Sequence, residues 1–260
     1  MIHIEAAARS HPGSVRENNE DNFFMCGVYM RADERNAGGL YKGIYEHKRQ
    51  LYAICDGMGG LEQGEEASLM TVSAMDRLMP LGRRGFHNGI RTYIDEISAA
   101  LLSPYGGPPS TGCTLSAVHL DGARATTVNL GDSRVYYKNG TLPLVQVTED
   151  HSQAVWYQKH GVLTPQEAET HPSRNTLRRY VGAPDQEGRT PDIAKAIRVK
   201  QGDTFLICSD GLSNMMSANE MDSEMAKAQL SCSDICRTLV SLALKRGADD
   251  NVTALMIRVC

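Results

Sequence analysis

Four aspartates stand where apolar, strand-like runs stop. Asp56 follows Leu51-Tyr52-Ala53-Ile54-Cys55, Asp132 follows Thr127-Val128-Asn129-Leu130-Gly131, Asp210 follows Thr204-Phe205-Leu206-Ile207-Cys208-Ser209, and Asp250 precedes Asn251-Val252-Thr253-Ala254-Leu255-Met256-Ile257. Buried strands of one sheet system bring their ends together, and clustered carboxylates repel one another unless they hold a cation. The pattern points to a polynuclear metal site.

The same dipeptides also have plain structural uses. Asp121-Gly122 is turn chemistry, because strand-like residues resume at once on its far side. Asp56-Gly57-Met58-Gly59-Gly60 differs in carrying three glycines and leading into a helix pattern, which suits close approach of a ligand or coordination through a carbonyl. Taken singly, Asp56 also fits a structural glycine turn, Ser209 or Asp210 a helix N-cap, and Asp249-Asp250-Asn251 a solvated turn. Recurrence of acids at strand ends favours the metal reading, since independent turns would not all need them. Between residues 13 and 23, Arg16 supplies a planar fork suited to a phosphate, and Glu20 and Asp21 are hard oxygen donors suited to Mg²⁺ or Mn²⁺. A solvated polar loop is the competing reading of that segment.

The elements that must position these groups follow from periodicity and turn residues. Strands are expected over 22–30 and 51–55, with a loop or extended hairpin over 31–50. Ala67, Met70, Ala74 and Leu78 mark one amphipathic helix; Ile90, Tyr93, Ile94, Ile97 and Leu101 mark a second. A loop spans 103–110. Asp121-Gly122 and Asn139-Gly140 are two-residue hairpin signals, the second joining 135–138 to 141–147. A last helix over 233–246 places Ile235, Leu239, Leu242 and Ala243 inward, with Gly247 as its C-cap, before a strand over 252–259. Hairpin-joined strands with grouped helices predict an α+β fold of antiparallel sheets covered by helices, in a single domain over 1–260.

Composition limits the function classes. With 260 residues and 41% hydrophobic content the chain can bury a substantial core. A formal net charge of −4 gives no electrostatic case for nucleic acid. No apolar run approaches the about 18 residues of a membrane span, and the start lacks a signal-peptide pattern, so no membrane partner and a cytoplasmic location are expected. Seven cysteines without a Cys-x-x-Cys pair read as reduced, mostly buried thiols.

Six segments then match one family pattern in order. They are Gly13-x-x-Arg16-x-x-Asn19-Glu20-Asp21, Asp56-Gly57-Met58-Gly59-Gly60 continuing to Gly64-Glu65-x-Ala67-Ser68, Gly131-Asp132-Ser133-Arg134, Thr148-x-Asp150-His151-Ser152, Ser209-Asp210-Gly211-Leu212 and Asp250-Asn251-x-Thr253. From about residue 9 to 259 the chain resembles the metal-dependent protein phosphatases of type 2C, as a bacterial-style stand-alone Ser/Thr phosphatase. The resemblance implies a β-sandwich of two antiparallel sheets flanked by helix pairs, in α-β-β-α layers, with a metal cleft at one end. It implies that Asp56 bridges two Mn²⁺ or Mg²⁺ ions, one completed by Glu20 and the Gly57 carbonyl, the other by Asp210 and Asp250. Asp132, with Asp210, would hold a third and weaker ion. Arg16 would take the substrate phosphate and Asp21 would orient the attacking water, making Arg16, Asp21 and Asp56 the catalytic set. Residues 153–184 resemble a mobile flap beside the cleft.

Two metals about 3.5–4 Å apart can lower the pKa of a shared water and neutralise charge at phosphorus. The reaction the resemblance implies is hydrolysis of phosphoserine and phosphothreonine esters by a metal-bridged hydroxide, without a Ser or Cys nucleophile. Phosphorylated proteins, a Ser/Thr kinase and its substrates are the expected partners, and the expected state is monomeric. Met58 stands where animal relatives carry a histidine proposed as general acid, and a thioether cannot donate a proton. Cys113, Arg134 and His151 are expected to be structural, His11 to be a surface loop residue, and Cys232 and Cys236 to share a core face. A silent metal-binding module would have lost an acid, and none is lost; a nucleotide or nucleic-acid hydrolase is disfavoured by the acidic balance.

Overall fold

The computed structural model describes residues 3–59, 63–103, 111–227 and 230–260. Gly60 and all but Ser103 of the expected 103–110 loop lie outside the described residues. The chain opens with β1 (Ile4–His11), β2 (Asp21–Met25), β3 (Gly39–Tyr45) and β4 (Arg49–Met58), followed by helices α1 (Gly64–Ser73) and α2 (Arg83–Leu101). Next come β5 (Gly112–Cys113), β6 (Leu115–Asp121), β7 (Arg124–Leu130), β8 (Arg134–Lys138) and β9 (Val145–Gln146), then α3 (Gln153–Lys159) and α4 (Pro165–Thr170). The remainder is β10 (Asp192–Ile193), β11 (Ile197–Arg198), β12 (Thr204–Cys208), α5 (Asp210–Ser213), α6 (Ala218–Met225), α7 (Cys232–Lys245) and β13 (Val252–Val259).

Two antiparallel sheets result, one ordered β3-β1-β13-β12-β8-β9 and the other β10-β7-β6-β4-β2, with β11 on β7 and β5 on β4. Alternation along each strand assigns its two faces. In β4, Tyr52 and Ile54 pack toward Phe205, Ile207, Leu255 and Ile257 of the opposite sheet, while Leu51, Ala53 and Cys55 pack under Phe86, Ile90, Tyr93 and Ile94 of α2. On the far side Leu206, Cys208, Ala254 and Met256 pack under Ile235, Leu239 and Ala243 of α7. Burial of each large apolar side chain contributes about 1.5–3 kcal/mol, so three stacked cores fix the relative position of the two sheets. The α-β-β-α layering matches the expectation. No helix among the described residues is long and apolar enough to cross a membrane.

Several boundaries differ from expectation, each for a local reason. The strand expected over 22–30 stops at Met25, because Cys26 (φ 49°) and Gly27 (φ 95°) turn the chain. The segment 31–50 holds a 3₁₀ turn at Arg35–Ala37 and the edge strand β3, paired along β1. The first helix ends at Ser73, where Thr71 and Ser73 donate to the carbonyls of Ala67 and Met70 and so compete for helix acceptors. The Asn139-Gly140 hairpin is wider than two residues: β8 pairs Tyr136 with Gln146, and Pro143 can give no ladder donor. In the β6–β7 hairpin Asp121 is the last paired strand residue, opposite Arg124, and Gly122 at φ 58° makes the turn. The last helix and strand fall as expected, with Ser231 and Asp234 forming a capping box and Gly247 at φ 83° ending α7.

Candidate metal and phosphate site

The strand ends that carry the acids meet at one end of the sandwich. Asp56, near the end of β4, is the direct cross-strand partner of Asp21 on β2. The Asp56 N–H donates to Thr114 Oγ1 at 2.9 Å and the Thr114 N–H donates to the Asp56 carbonyl at 2.8 Å. Thr114 Oγ1 in turn shares a hydrogen bond of 2.7 Å with Ser133 Oγ, which ties Asp56 to the turn bearing Asp132. The Gly57 N–H donates to the Glu20 carbonyl at 3.1 Å. A Cβ on Gly57 would stand 2.1 Å from the Gly64 carbonyl oxygen, so only glycine lets these loops approach.

The opposite sheet supplies the other acids. Ser209, between β12 and Asp210, donates to Asp21 Oδ2 at 2.7 Å and accepts from the Thr253 N–H at 3.0 Å. A Cβ on Gly211 would lie 2.1 Å from the Asn251 carbonyl oxygen, which places the Asp210 and Asp250 loops in backbone contact. Asn251 accepts from the Glu20 N–H at 2.7 Å and donates to the carbonyls of Pro12 and Asn18. It thus fixes the loop carrying Arg16 and Glu20 against Asp250. Arg16 Nη2 donates to Asp250 Oδ2 at 3.1 Å, and the Asn251 N–H donates to Asp250 Oδ1 at 2.9 Å.

Arg16, Glu20, Asp56, Gly57, Met58, Asp132, Asp210 and Asp250 line one cleft of about 280 Å³, with Thr114, Asn175 and Leu177. All the acids and the arginine singled out from sequence therefore meet there, except that Asp21 is buried behind Asp56. Burial, then the charges of neighbouring aspartates, push the Asp56 and Asp132 carboxyls well above the usual range. Burial raises Asp21 to about 7 and, with Asp250 beside it, Asp210 to about 6; burial and Glu65 raise Glu20. Removing carboxylates from water costs more than their hydrogen bonds return, so the cluster favours protons or cations.

Among the described residues no three His, Cys, Asp or Glu side chains form a closed metal shell. Both Asp250 oxygens are engaged, and Asp210 Oδ2 accepts from Asn214 Nδ2 at 3.1 Å. The donor set nevertheless fits hard divalent cations. It is all oxygen, it is crowded with raised carboxyls, and Asp21 Oδ1 is buried without a hydrogen-bond partner.

The residues expected to be structural have structural partners. Arg134 donates to both oxygens of Asp150, and the buried His151 ring contacts the Gly131 N–H at 3.1 Å and Asp192 at 3.1 Å. Cys113 is buried against Thr71 Oγ1 at 3.1 Å, and Cys232 and Cys236 are both buried beneath β1. His11, expected on a surface loop, is instead the half-buried last residue of β1, opposite Val252, and its Nδ1 accepts from the Gly13 N–H at 3.0 Å. Asp121 bonds Arg49 and the Arg83 N–H, away from the cleft. Residues 153–184 fold as α3 and α4 followed by turns and isolated bridges at Leu177 and Val181, and Asn175 and Leu177 reach the cleft wall. Thr114, Ser209 and Asn175 were not singled out as site residues; Ser209 and Thr114 sit beside expected site residues in sequence or ladder, while Asn175 carries no periodic signal.

Comparison with known proteins gives concordant findings. The family model for protein phosphatase 2C matches residues 41–247. The serine/threonine phosphatase stp of Listeria welshimeri is 28% identical over 98% of this chain and 95% of that protein. The structure of the S. agalactiae serine/threonine phosphatase aligns with TM-score 0.81 at 25% identity, covering 99% of this chain and 100% of that one. The catalytic domain of the serine/threonine protein phosphatase PstP in complex with two manganese ions aligns with TM-score 0.77 at 28% identity, covering 100% of this chain and 99% of that one.

Proposed function

We propose, from the premise that this chain belongs to the protein phosphatase 2C family, that its cleft hydrolyses phosphoserine and phosphothreonine esters on proteins with two divalent cations. Membership makes the chain a metal-dependent Ser/Thr protein phosphatase; the dinuclear mechanism and the residue roles are our reading. The observation that carries it is the single cleft shared by Arg16, Glu20, Asp56, Gly57, Asp132, Asp210 and Asp250.

Glu20, Asp56 and the Gly57 carbonyl would hold one ion, Asp56, Asp210 and Asp250 the other, and Asp132 with Asp210 a weaker third. When bound, Mn²⁺ or Mg²⁺ lowers the pKa of the attacking water and neutralises charge at phosphorus. Arg16, half exposed at the rim, grips the phosphate oxygens by exchanging Asp250 for the substrate. Asp21, behind Asp56, has one free carboxylate oxygen with which to orient water. Met58 lines the cleft but cannot protonate the leaving group, so that proton comes from water.

The segment 153–184 acts as a flap on the substrate side. The protein acts as a monomer on phosphorylated proteins, opposing a Ser/Thr kinase. A manganese-dependent assay on a phosphothreonine peptide beside a dinucleotide ester tests this reading. Hydrolysis of the peptide alone is expected, and hydrolysis of neither substrate, or of the dinucleotide alone, would overturn it.

A further inference from the structure

The segment between β2 and β3 reaches the loop carrying Arg16 and Glu20 through the Asn36 side chain and the Arg35 carbonyl. Asn36 Oδ1, in the 3₁₀ turn, accepts from the Asn19 N–H at 2.9 Å, and Asn36 Nδ2 donates to Asn18 Oδ1 at 3.3 Å. Asn19 Nδ2 answers by donating to the Arg35 carbonyl at 3.2 Å and to Ser10 Oγ at 2.8 Å. Gly38, at φ 63°, lets this segment fold back against β1, where its Cβ would stand 3.3 Å from the Ser10 carbonyl oxygen.

Asn18 and Asn19 lie between Arg16 and Glu20, so both of these Asn36 side-chain hydrogen bonds go to the stretch that spaces those two groups. The loop is held from the body by Asn251, which bonds the Asn18 carbonyl and the Glu20 N–H, and from outside by Asn36. The Gly57 N–H on the Glu20 carbonyl and the Asn19 side chain add to these clamps, and Asn36 is what holds the Asn19 N–H, so its loss loosens the middle of the 18–20 backbone. Asn36 is exposed, so it adds nothing to the core.

We infer that Asn36 is a positioning residue, through which the segment between β2 and β3 sets the geometry of Arg16 and Glu20. This rests on the proposed roles of those two residues. A net hydrogen bond of ordinary strength corresponds to roughly a fivefold effect.

The test compares the full-length wild type with Asn36→Ala and Asn36→Asp, the latter keeping the acceptor for the Asn19 N–H. Steady-state kinetics on a phosphothreonine peptide and the Mn²⁺ Kd from titration calorimetry are measured. In Asn36→Ala we expect KM and the Mn²⁺ Kd each raised roughly fivefold, with kcat changed less than about twofold, Tm unchanged, and recovery in Asn36→Asp. Equality of Asn36→Ala with an active wild type overturns this inference alone. So does an equal loss in both variants, or a fall in Tm and kcat with KM constant. A wild type inactive on the peptide overturns the proposed function and this inference with it.

Discussion

Asp21 and Asp56 face each other as direct partners across the β2–β4 ladder, so two carboxyls are held side by side in a buried sheet. Such a pair is unfavourable for an empty protein and useful for one that binds cations.

Asp56→Asn removes the group proposed to touch both ions. Mn²⁺ affinity should fall by roughly 100-fold or more, with activity lost and the circular dichroism spectrum unchanged. Near-normal turnover with manganese in this variant would sink the assignment.

Arg16→Lys keeps the charge and loses the fork. KM for phosphopeptide and the inhibition constant of inorganic phosphate should both rise by about tenfold. The Arg16–Asp250 pair is half exposed, so Tm should stay within about 3 °C, because such pairs contribute about 1 kcal/mol or less. An unchanged phosphate constant would remove Arg16 from the site.

Gly57→Ala and Gly202→Ala separate contact from conformation. The first puts a methyl 2.1 Å from the Gly64 carbonyl oxygen, and the second, at φ 90°, meets nothing within 4 Å. Both should lose stability in thermal melts, the second by about 1 kcal/mol of backbone strain. Only Gly57→Ala should also lose Mn²⁺ affinity, read by calorimetry.

Metal-free stability should decline as pH rises. The Asp21 carboxyl is lifted from 3.8 to about 7 by burial, so between those values the folded chain holds a proton that the unfolded chain releases. That contribution is present at low pH and is lost as pH rises toward 7. Melts in chelator should show Tm falling across this window, by roughly 3 °C or more, and Asp21→Asn should flatten the trend. A Tm that climbs equally in both proteins contradicts it.

His119 acts in the opposite sense. Buried and stacked 4.0 Å from the Phe86 ring, its imidazole is lowered from 6.5 to about 4 by desolvation. The unfolded chain takes up the proton first, so its contribution is full above 6.5 and is lost as pH falls toward 4. His119→Phe removes this opposing contribution and should steepen the fall of Tm between pH 4 and 6.5 relative to wild type in the same melts. Identical acid profiles would show that His119 does not titrate with unfolding.

Much of the site was legible because acids interrupt apolar runs, as at Asp56, Asp210 and Asp250. The sandwich was legible from hairpin turns and from the alternation of strands such as β13. β3 was hidden because Gly39 and Gly43 weaken a strand pattern, and its pairing depends on β1, which local sequence does not report. Asn36 was invisible for the same reason: an exposed asparagine in a polar stretch has meaning only through Asn18 and Asn19.

The proposed ligands are divided between the two sheets, Asp56 on one and Asp210 and Asp250 beside strands of the other. An ion gripping both sides would act as a rivet through the sandwich, and its binding energy would count toward keeping the sheets in register. Heat tolerance and manganese supply then become a single variable. A distant core substitution that lets one sheet slip would first show itself as a demand for more metal.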